Sequence, residues 1–166
     1  MTYKPGLLYW IEKMFIHAEQ KKWYDTYHCF DIHGVISKPD YRKVGDEFNI
    51  NYYPYAKETL QFLTKNRPDM VLFIFTSSYK SEIDSYMEQF KKDDIFFRYV
   101  NENPEVSEAT GCFGFYDKKP YFNSYFEDKA GFNPVLDWQP IYEYFVNSEY
   151  KPDSSWKFKT IETYHK

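Results

Sequence analysis

Three apolar runs in this chain each end in polar residues suited to binding ions, and this feature constrains the fold most. Tyr27-His28-Cys29-Phe30 leads directly into Asp31-Ile32-His33-Gly34-Val35-Ile36. Met70-Val71-Leu72-Phe73-Ile74-Phe75 ends in Thr76-Ser77-Ser78, and Tyr121-Phe122-Asn123-Ser124-Tyr125-Phe126 ends in Glu127-Asp128. Short apolar runs bounded by polar residues and turn formers read as buried strands. In an open α/β sheet, ligands bind outside the C-terminal ends of the strands. Asp, Thr/Ser and Glu-Asp at three such ends therefore point to one shared site.

Between these runs the pattern changes to a helical period. Leu7, Leu8, Ile11, Met14, Phe15 and Ala18 form one face of an N-terminal helix with Pro5 in its first turn. Its expected place is on the sheet. The opposite face is not strongly basic, which argues against a membrane surface. A helix over 54–66 turns Ala56, Leu60 and Leu63 inward and closes at Asn66-Arg67-Pro68. Ser81-Glu82-Ile83-Asp84 has capping-box spacing and opens a helix with Ile83, Met87 and Phe90 inward. A short strand is expected over 95–100, and a last helix over 140–147 carries Ile141, Tyr144 and Phe145. Residues 38–51 are polar, with Pro39, Gly45 and Asp46, and form a loop or short hairpin beside the site. The alternation predicts an α/β protein with a three-layer Rossmann-like parallel sheet and helices on both faces. The 166 residues are read as a single domain, with 1–24 a helical extension and 148–166 a polar tail.

Composition narrows the function classes. With 21 basic and 25 acidic residues the formal net charge is −4, so no electrostatic footprint for nonspecific nucleic-acid binding exists beyond a local patch. Aromatic residues are 23% of the chain, and they can stack on bases or fill a core. The core reading is the simpler one, because the basic residues are nearly all Lys and Asn and Ile are also plentiful, the mark of AT-rich coding. Two cysteines, Cys29 and Cys112, make neither a disulfide framework nor a zinc site, and buried inert thiols are expected. No signal-peptide layout and no apolar run of membrane-spanning length is present, so a soluble cytoplasmic protein without a membrane partner is expected.

The strand-end motifs resemble those of the haloacid dehalogenase-like superfamily of aspartate-nucleophile phosphotransferases. Asp31-Ile32-His33-Gly34-Val35 is similar to the family's first motif, DxDG[TV]; Phe73-Ile74-Phe75-Thr76 is similar to the second. Lys118 and Lys119 are both candidates for the motif lysine, and Glu127-Asp128 matches the closing acidic pair. The likeness spans about 26–147. It departs in two places: His33 stands where relatives carry a second aspartate, and the lysines lie too close to Asp128 for the usual intervening helix. Neither gap between motifs holds an extra domain, so the resemblance implies a capless member with an open site. Such sites tend to accept bulky substrates or to use a partner subunit as a lid.

The resemblance further implies a mechanism. Asp31 is the nucleophile, forming an aspartyl-phosphate. Mg²⁺ is held by Asp31, the backbone carbonyl of His33 and Asp128, with Glu127 a fourth ligand or its support. Thr76, with the amides of Ser77 and Ser78, takes phosphate oxygens ahead of a helix N-terminus. Lys118 or Lys119 neutralises the transferring group. His33 takes over acid-base work, which histidine can do near neutral pH. Asn133 is placed to brace the acidic pair or the lysine. The expected reaction is phosphomonoester hydrolysis on a phosphorylated small molecule, a nucleotide or a polynucleotide end.

Other readings compete. Asp31, Thr76, Ser77 and Ser78 are also ordinary capping residues, and Lys118-Lys119 an ordinary solvated turn. A degenerate fold-mate that only binds or regulates is the main non-enzyme alternative, and a metal-free dehalogenase a related enzyme. Asp31-Ile32-His33-Gly34 also opens a DxHG run like that of dinuclear metallophosphoesterases. Those need later histidines as ligands, and after His33 only His165 remains.

Overall fold

A computed structural model of the chain describes residues 3–39, 49–106 and 119–148. In chain order the elements are α1 (Gly6–Lys21), β1 (Thr26–Phe30), α2 (Ala56–Asn66), β2 (Met70–Ile74), α3 (Lys80–Lys92), β3 (Tyr99–Val100), β4 (Ser124–Phe126) and α4 (Trp138–Asn147). The strands form one sheet in the order β3-β2-β1-β4, with every neighbouring pair parallel. Helices flank it, as expected of a Rossmann-like three-layer α/β fold. No helix among the described residues is long and apolar enough to cross a membrane.

The strands are shorter than their apolar runs, because such a run marks burial and not ladder pairing. Ile95 and Phe97 are buried, yet they lie in an irregular stretch before β3, and the Ile95 N–H donates back to the Phe90 carbonyl near the end of α3 at 2.9 Å. Helix starts shift for local reasons. Tyr55 adopts a left-handed φ of 66°, so α2 begins at Ala56 and not at 54. The Glu82 carboxylate accepts from the Tyr79 N–H at 3.1 Å, which opens α3 ahead of Ser81. There Tyr86 and Phe90 are buried, and Ile83 and Met87 only half so.

One face of β1 carries Thr26, His28 and Phe30, aligned with Met70, Leu72 and Ile74 of β2 and with Ser124 and Phe126 of β4. The apolar members of this face share one core with Leu8, Ile11 and Phe15 of α1, Leu60 and Leu63 of α2, and Trp138, Ile141 and Phe145 of α4. Phe30 stacks on Phe126 at 4.3 Å between ring centroids, and Trp138 lies nearly parallel to both. The Trp138 indole N–H donates to the Val35 carbonyl at 2.8 Å, tying the turn after β1 to the start of α4. Cys29, Val71 and Phe73 point to the other face and are also buried. Cys29 is buried as expected, and burial pushes its thiol up, away from the reactive thiolate. Cys112 lies outside the described residues.

Polar groups inside this core are paired. Arg67 makes a two-pronged contact with Asp69, at 2.9 and 2.7 Å, and its guanidinium lies over the rings of Phe15 and Phe145. The ring nitrogens of His28 sit 2.8 Å from the Thr26 hydroxyl and 2.6 Å from that of Ser124. Burial, and then the nearby Arg67 charge, push the His28 pKa down to about 3. Between that value and the ordinary histidine range the unfolded chain binds a proton that the folded chain does not. Stability should therefore fall as pH drops through this window, by about 1.4 kcal/mol per pH unit. Urea midpoints measured at stepped pH should show this slope in the wild type and a shallower one in His28→Gln. Parallel curves for the two proteins would mean that His28 is not the group responsible.

Candidate functional site

β1 is the pivot of the strand order. The chain steps from β1 to β2 to β3 on one side, and β4 joins β1 on the other. The crevice between the C-terminal ends of β1 and β4 is thus the topological switch point, where open α/β sheets bind ligands. Asp31 follows β1, and Glu127 and Asp128 follow β4. The ladder continues one residue past the strand ends. The Asp31 N–H donates to the Phe126 carbonyl at 3.0 Å, and the Phe75 N–H to the Phe30 carbonyl at 2.9 Å. The result is that one carboxylate oxygen from each of Asp31, Glu127 and Asp128 lies within 4.8 Å of the others.

Local contacts hold each carboxylate in place. Asp31 Oδ1 accepts from the Ile32 N–H at 2.8 Å. Glu127 Oε2 accepts from the Tyr125 hydroxyl at 2.9 Å. The Lys129 N–H is shared between Glu127 Oε1 at 3.1 Å and Asp128 Oδ1 at 2.9 Å. The Lys129 ammonium stands 3.9 and 3.8 Å from the same two oxygens but is 85% exposed, so its charge is well screened. Gly34 has φ of 77°, and a Cβ built there would meet Asp128 Oδ2 at 2.8 Å. The glycine of the Asp31–Gly34 run thus serves the turn and also lets a carboxylate from the neighbouring strand approach.

The electrostatics are those of crowded acids. Burial raises the Asp31 carboxyl above the usual carboxylate range; the Ile32 amide and the His33 and Lys129 charges offset it only in part. Glu127 is raised as well, first by burial and then by its hydrogen bond with Asp128. Asp128 is lowered, chiefly by that same bond from Glu127. Glu127 and Asp128 are thus pushed in opposite directions, as neighbouring acids joined by a hydrogen bond are. All three donors are oxygens, the ligand set of a hard divalent cation.

Across from the acids lies the hydroxyl loop after β2. The Thr76 N–H donates to Asn101 Oδ1 at 2.7 Å, and Thr76 Oγ1 is 3.1 Å from Ser78 Oγ. Ser77 is exposed, and the loop leads into the N-terminus of α3, which favours an anion. His33 joins the two halves. Its Nε2 is 2.6 Å from the Tyr86 hydroxyl, and its Nδ1 faces Ser78 Oγ at a longer 3.5 Å.

Of the residues singled out in the sequence, the structure brings Asp31, Glu127 and Asp128 together, and sets His33 facing Ser78, which lies beside Thr76. Lys118 lies outside the described residues. The Lys119 ammonium sits 5.6 Å over the Phe122 ring, on the N-terminal approach to β4, the end of the strand away from Glu127. Asn133 caps the turn before α4, its Oδ1 accepting from the Val135 and Leu136 amides, and does not brace the acids. The 38–51 excursion is closed at its base: the Lys38 N–H donates to the Asn51 carbonyl at 2.8 Å and the Tyr53 N–H to that of Ile36 at 3.0 Å. Its residues 40–48 lie outside the described set. Sequence reasoning missed Lys129, Tyr125, Asn101 and Tyr86. Lys129 adjoins the acidic pair and Tyr125 shares a strand face with Glu127, so both had a signal. Asn101 and Tyr86 had none, being distant in sequence from their partners.

No family model and no curated protein matches the chain. Among solved structures, a conserved protein from Bacteroides thetaiotaomicron is similar over 76% of this chain and 93% of its own, with a TM-score of 0.53 and 21% sequence identity. At that identity the likeness bears on the fold alone, and it agrees with the α/β architecture above.

Gly34→Ala isolates the geometry of the acids from their chemistry. A side chain at positive φ is strained, and its Cβ displaces Asp128. A stability loss of about 1 kcal/mol or more is expected in urea unfolding. Wild-type stability in this variant would show that Asp128 need not sit against Gly34.

Proposed function

We propose that this chain is a Mg²⁺-dependent phosphatase of the capless haloacid dehalogenase-like type, hydrolysing a phosphomonoester through an aspartyl-phosphate on Asp31. The observation that carries the reading is the convergence of Asp31, Glu127 and Asp128 at the switch point, with the Thr76–Ser78 hydroxyls opposite. The acids fit a cation, since three crowded carboxylates are relieved by a positive charge and their donors are all oxygen. Asp31, Asp128 and Glu127, with the backbone carbonyl of His33, would hold Mg²⁺. When bound, it masks the like charges of carboxylate and phosphate.

The chain's own residues have separate tasks in this reading. The Thr76 hydroxyl and the Ser77 and Ser78 amides take the phosphate oxygens and aim phosphorus at Asp31. An Asp31 carboxylate oxygen bonds to phosphorus as the bond to the leaving oxygen breaks. His33 protonates that leaving oxygen. Water then attacks the phosphorus of the aspartyl-phosphate, giving a proton back to His33 and releasing phosphate and free Asp31. Lys129, which stands beside Glu127 and Asp128, balances charge on the transferring group. A phosphorylated small molecule, a nucleotide and a polynucleotide end all suit an open site. The net charge of −4 gives no added pull on a polynucleotide.

Asp31→Asn should abolish Mg²⁺-dependent turnover of an aryl phosphate while leaving the circular dichroism spectrum unchanged. Substantial remaining activity would refute the covalent route.

The second reading, a degenerate fold-mate that binds without turnover, is favoured by one observation: His33 replaces the second aspartate, and its Nε2 is already engaged by Tyr86. Comparing three proteins decides between them. If His33 works as acid and base, His33→Ala should lose roughly two to four orders of magnitude in rate. If the site is degenerate, the wild type should be nearly inactive and His33→Asp should raise turnover. Equal activity in all three would make His33 a bystander.

A further inference from the structure

We propose that Tyr86 is the positioning residue for His33, holding Nε2 so that Nδ1 is the nitrogen turned to the reacting phosphate. The chemical consequence rests on the phosphatase reading; the ring geometry does not.

The contact is built into the core. Tyr86 is only 9% exposed and lies in α3, one turn before the fully buried Phe90, with whose ring it stacks at 6.4 Å between centroids. The His33 ring meets the Tyr86 ring edge-on, at 5.3 Å and 80°. Their polar atoms, Oη and Nε2, are 2.6 Å apart. Breaking this bond costs a hydrogen bond at a half-buried imidazole nitrogen, which makes the ring orientation costly to change. With Nε2 committed to α3, the imidazole turns Nδ1 the other way, to the long 3.5 Å contact with Ser78 Oγ in the loop that carries Thr76. The ring therefore has a structural edge and a working edge.

The direction of the Tyr86 bond follows from the work required. His33 must give a proton to the leaving oxygen and later take one from water at the same atom. The doubly protonated ring gives up the Nδ1 proton, the leaving oxygen departs as a hydroxyl, and the neutral ring keeps Nε2–H. The attacking water then returns a proton to Nδ1 as its oxygen bonds to phosphorus, which restores the starting ring. Throughout, Nε2–H donates to the Tyr86 oxygen. The neutral ring of His33 is therefore the Nε2–H tautomer, set by Tyr86. A phenol donating to Nε2 would place the proton of the neutral ring on Nδ1 and leave no base at the working edge.

Two-bond ¹⁵N–¹H correlation spectra of His33, recorded above the ordinary histidine range, test this directly. The wild type should show the Nε2–H tautomer. Tyr86→Phe keeps the ring packing and removes only the oxygen, so the His33 signals should move towards a mixture of tautomers. Under the phosphatase reading, kcat of this variant should fall roughly ten- to a hundredfold through misplacement of the proton carrier, with KM nearly unchanged. A wild-type Nδ1–H tautomer, or ring signals unaltered in Tyr86→Phe, overturns the proposal. The wild-type tautomer is decisive even if Tyr86→Phe fails to fold. A wild type without turnover refutes the phosphatase reading instead, and the ring signals still decide whether Tyr86 sets His33.

Discussion

The pairing of β1 with β4 at Phe30 and Phe126 is the interaction on which the rest of the site depends. It puts the residues that follow each strand side by side, and those residues are acids. Two ionised carboxylates at the outer limit of this cluster, 4.8 Å, would repel by about 3–4 kcal/mol at an effective dielectric near 20. A fully buried aromatic side chain contributes roughly 1.5–3 kcal/mol. Phe30, Phe126 and Trp138 together outweigh the repulsion of one such pair. The aromatic cluster beneath the sheet end is what allows the charged cluster above it.

Trp138 extends that logic to the turn. Its indole ring packs with Phe126 and Phe132, while its N–H holds the Val35 carbonyl. Gly34, next to Val35, is where Asp128 makes its close approach. The last helix therefore acts on the site through one backbone carbonyl, without supplying a side chain to it. On the other side α3 acts through Tyr86 on His33, and the β2 loop through Thr76 and Ser78. Each helix positions a group that another segment provides, and the fixed sheet ends supply the carboxylates.

The helices and strands were legible wherever a period was long. The N-terminal helix shows it best: Leu8, Ile11, Phe15 and Ala18 are its buried residues, as their spacing required. Boundaries were less legible. Tyr55 at positive φ and the irregular stretch over Ile95–Phe97 are set by local backbone geometry and by burial from outside the segment, and neither leaves a periodic trace. At the site, Asp31, Thr76 and Glu127-Asp128 could be named because strand ends in a parallel sheet collect on one edge. Asn133 could not be assigned, because an asparagine before a turn looks the same whether it caps that turn or braces a neighbour.

The sequence by itself therefore determined the alternation, the parallel sheet it demands, and the chemical kinds of residue at the strand ends. These follow from hydrophobic period and chain connectivity, which are properties of neighbours along the chain. Only the tertiary structure decided which lysine stands by the acids, why Gly34 must be bare, and that His33 is tied to Tyr86. Each of these is a contact between segments separated by long stretches of chain, or a question of a few tenths of an ångström in how closely two groups approach. Such contacts are set by the packing of the whole core, and no local pattern in the sequence records them.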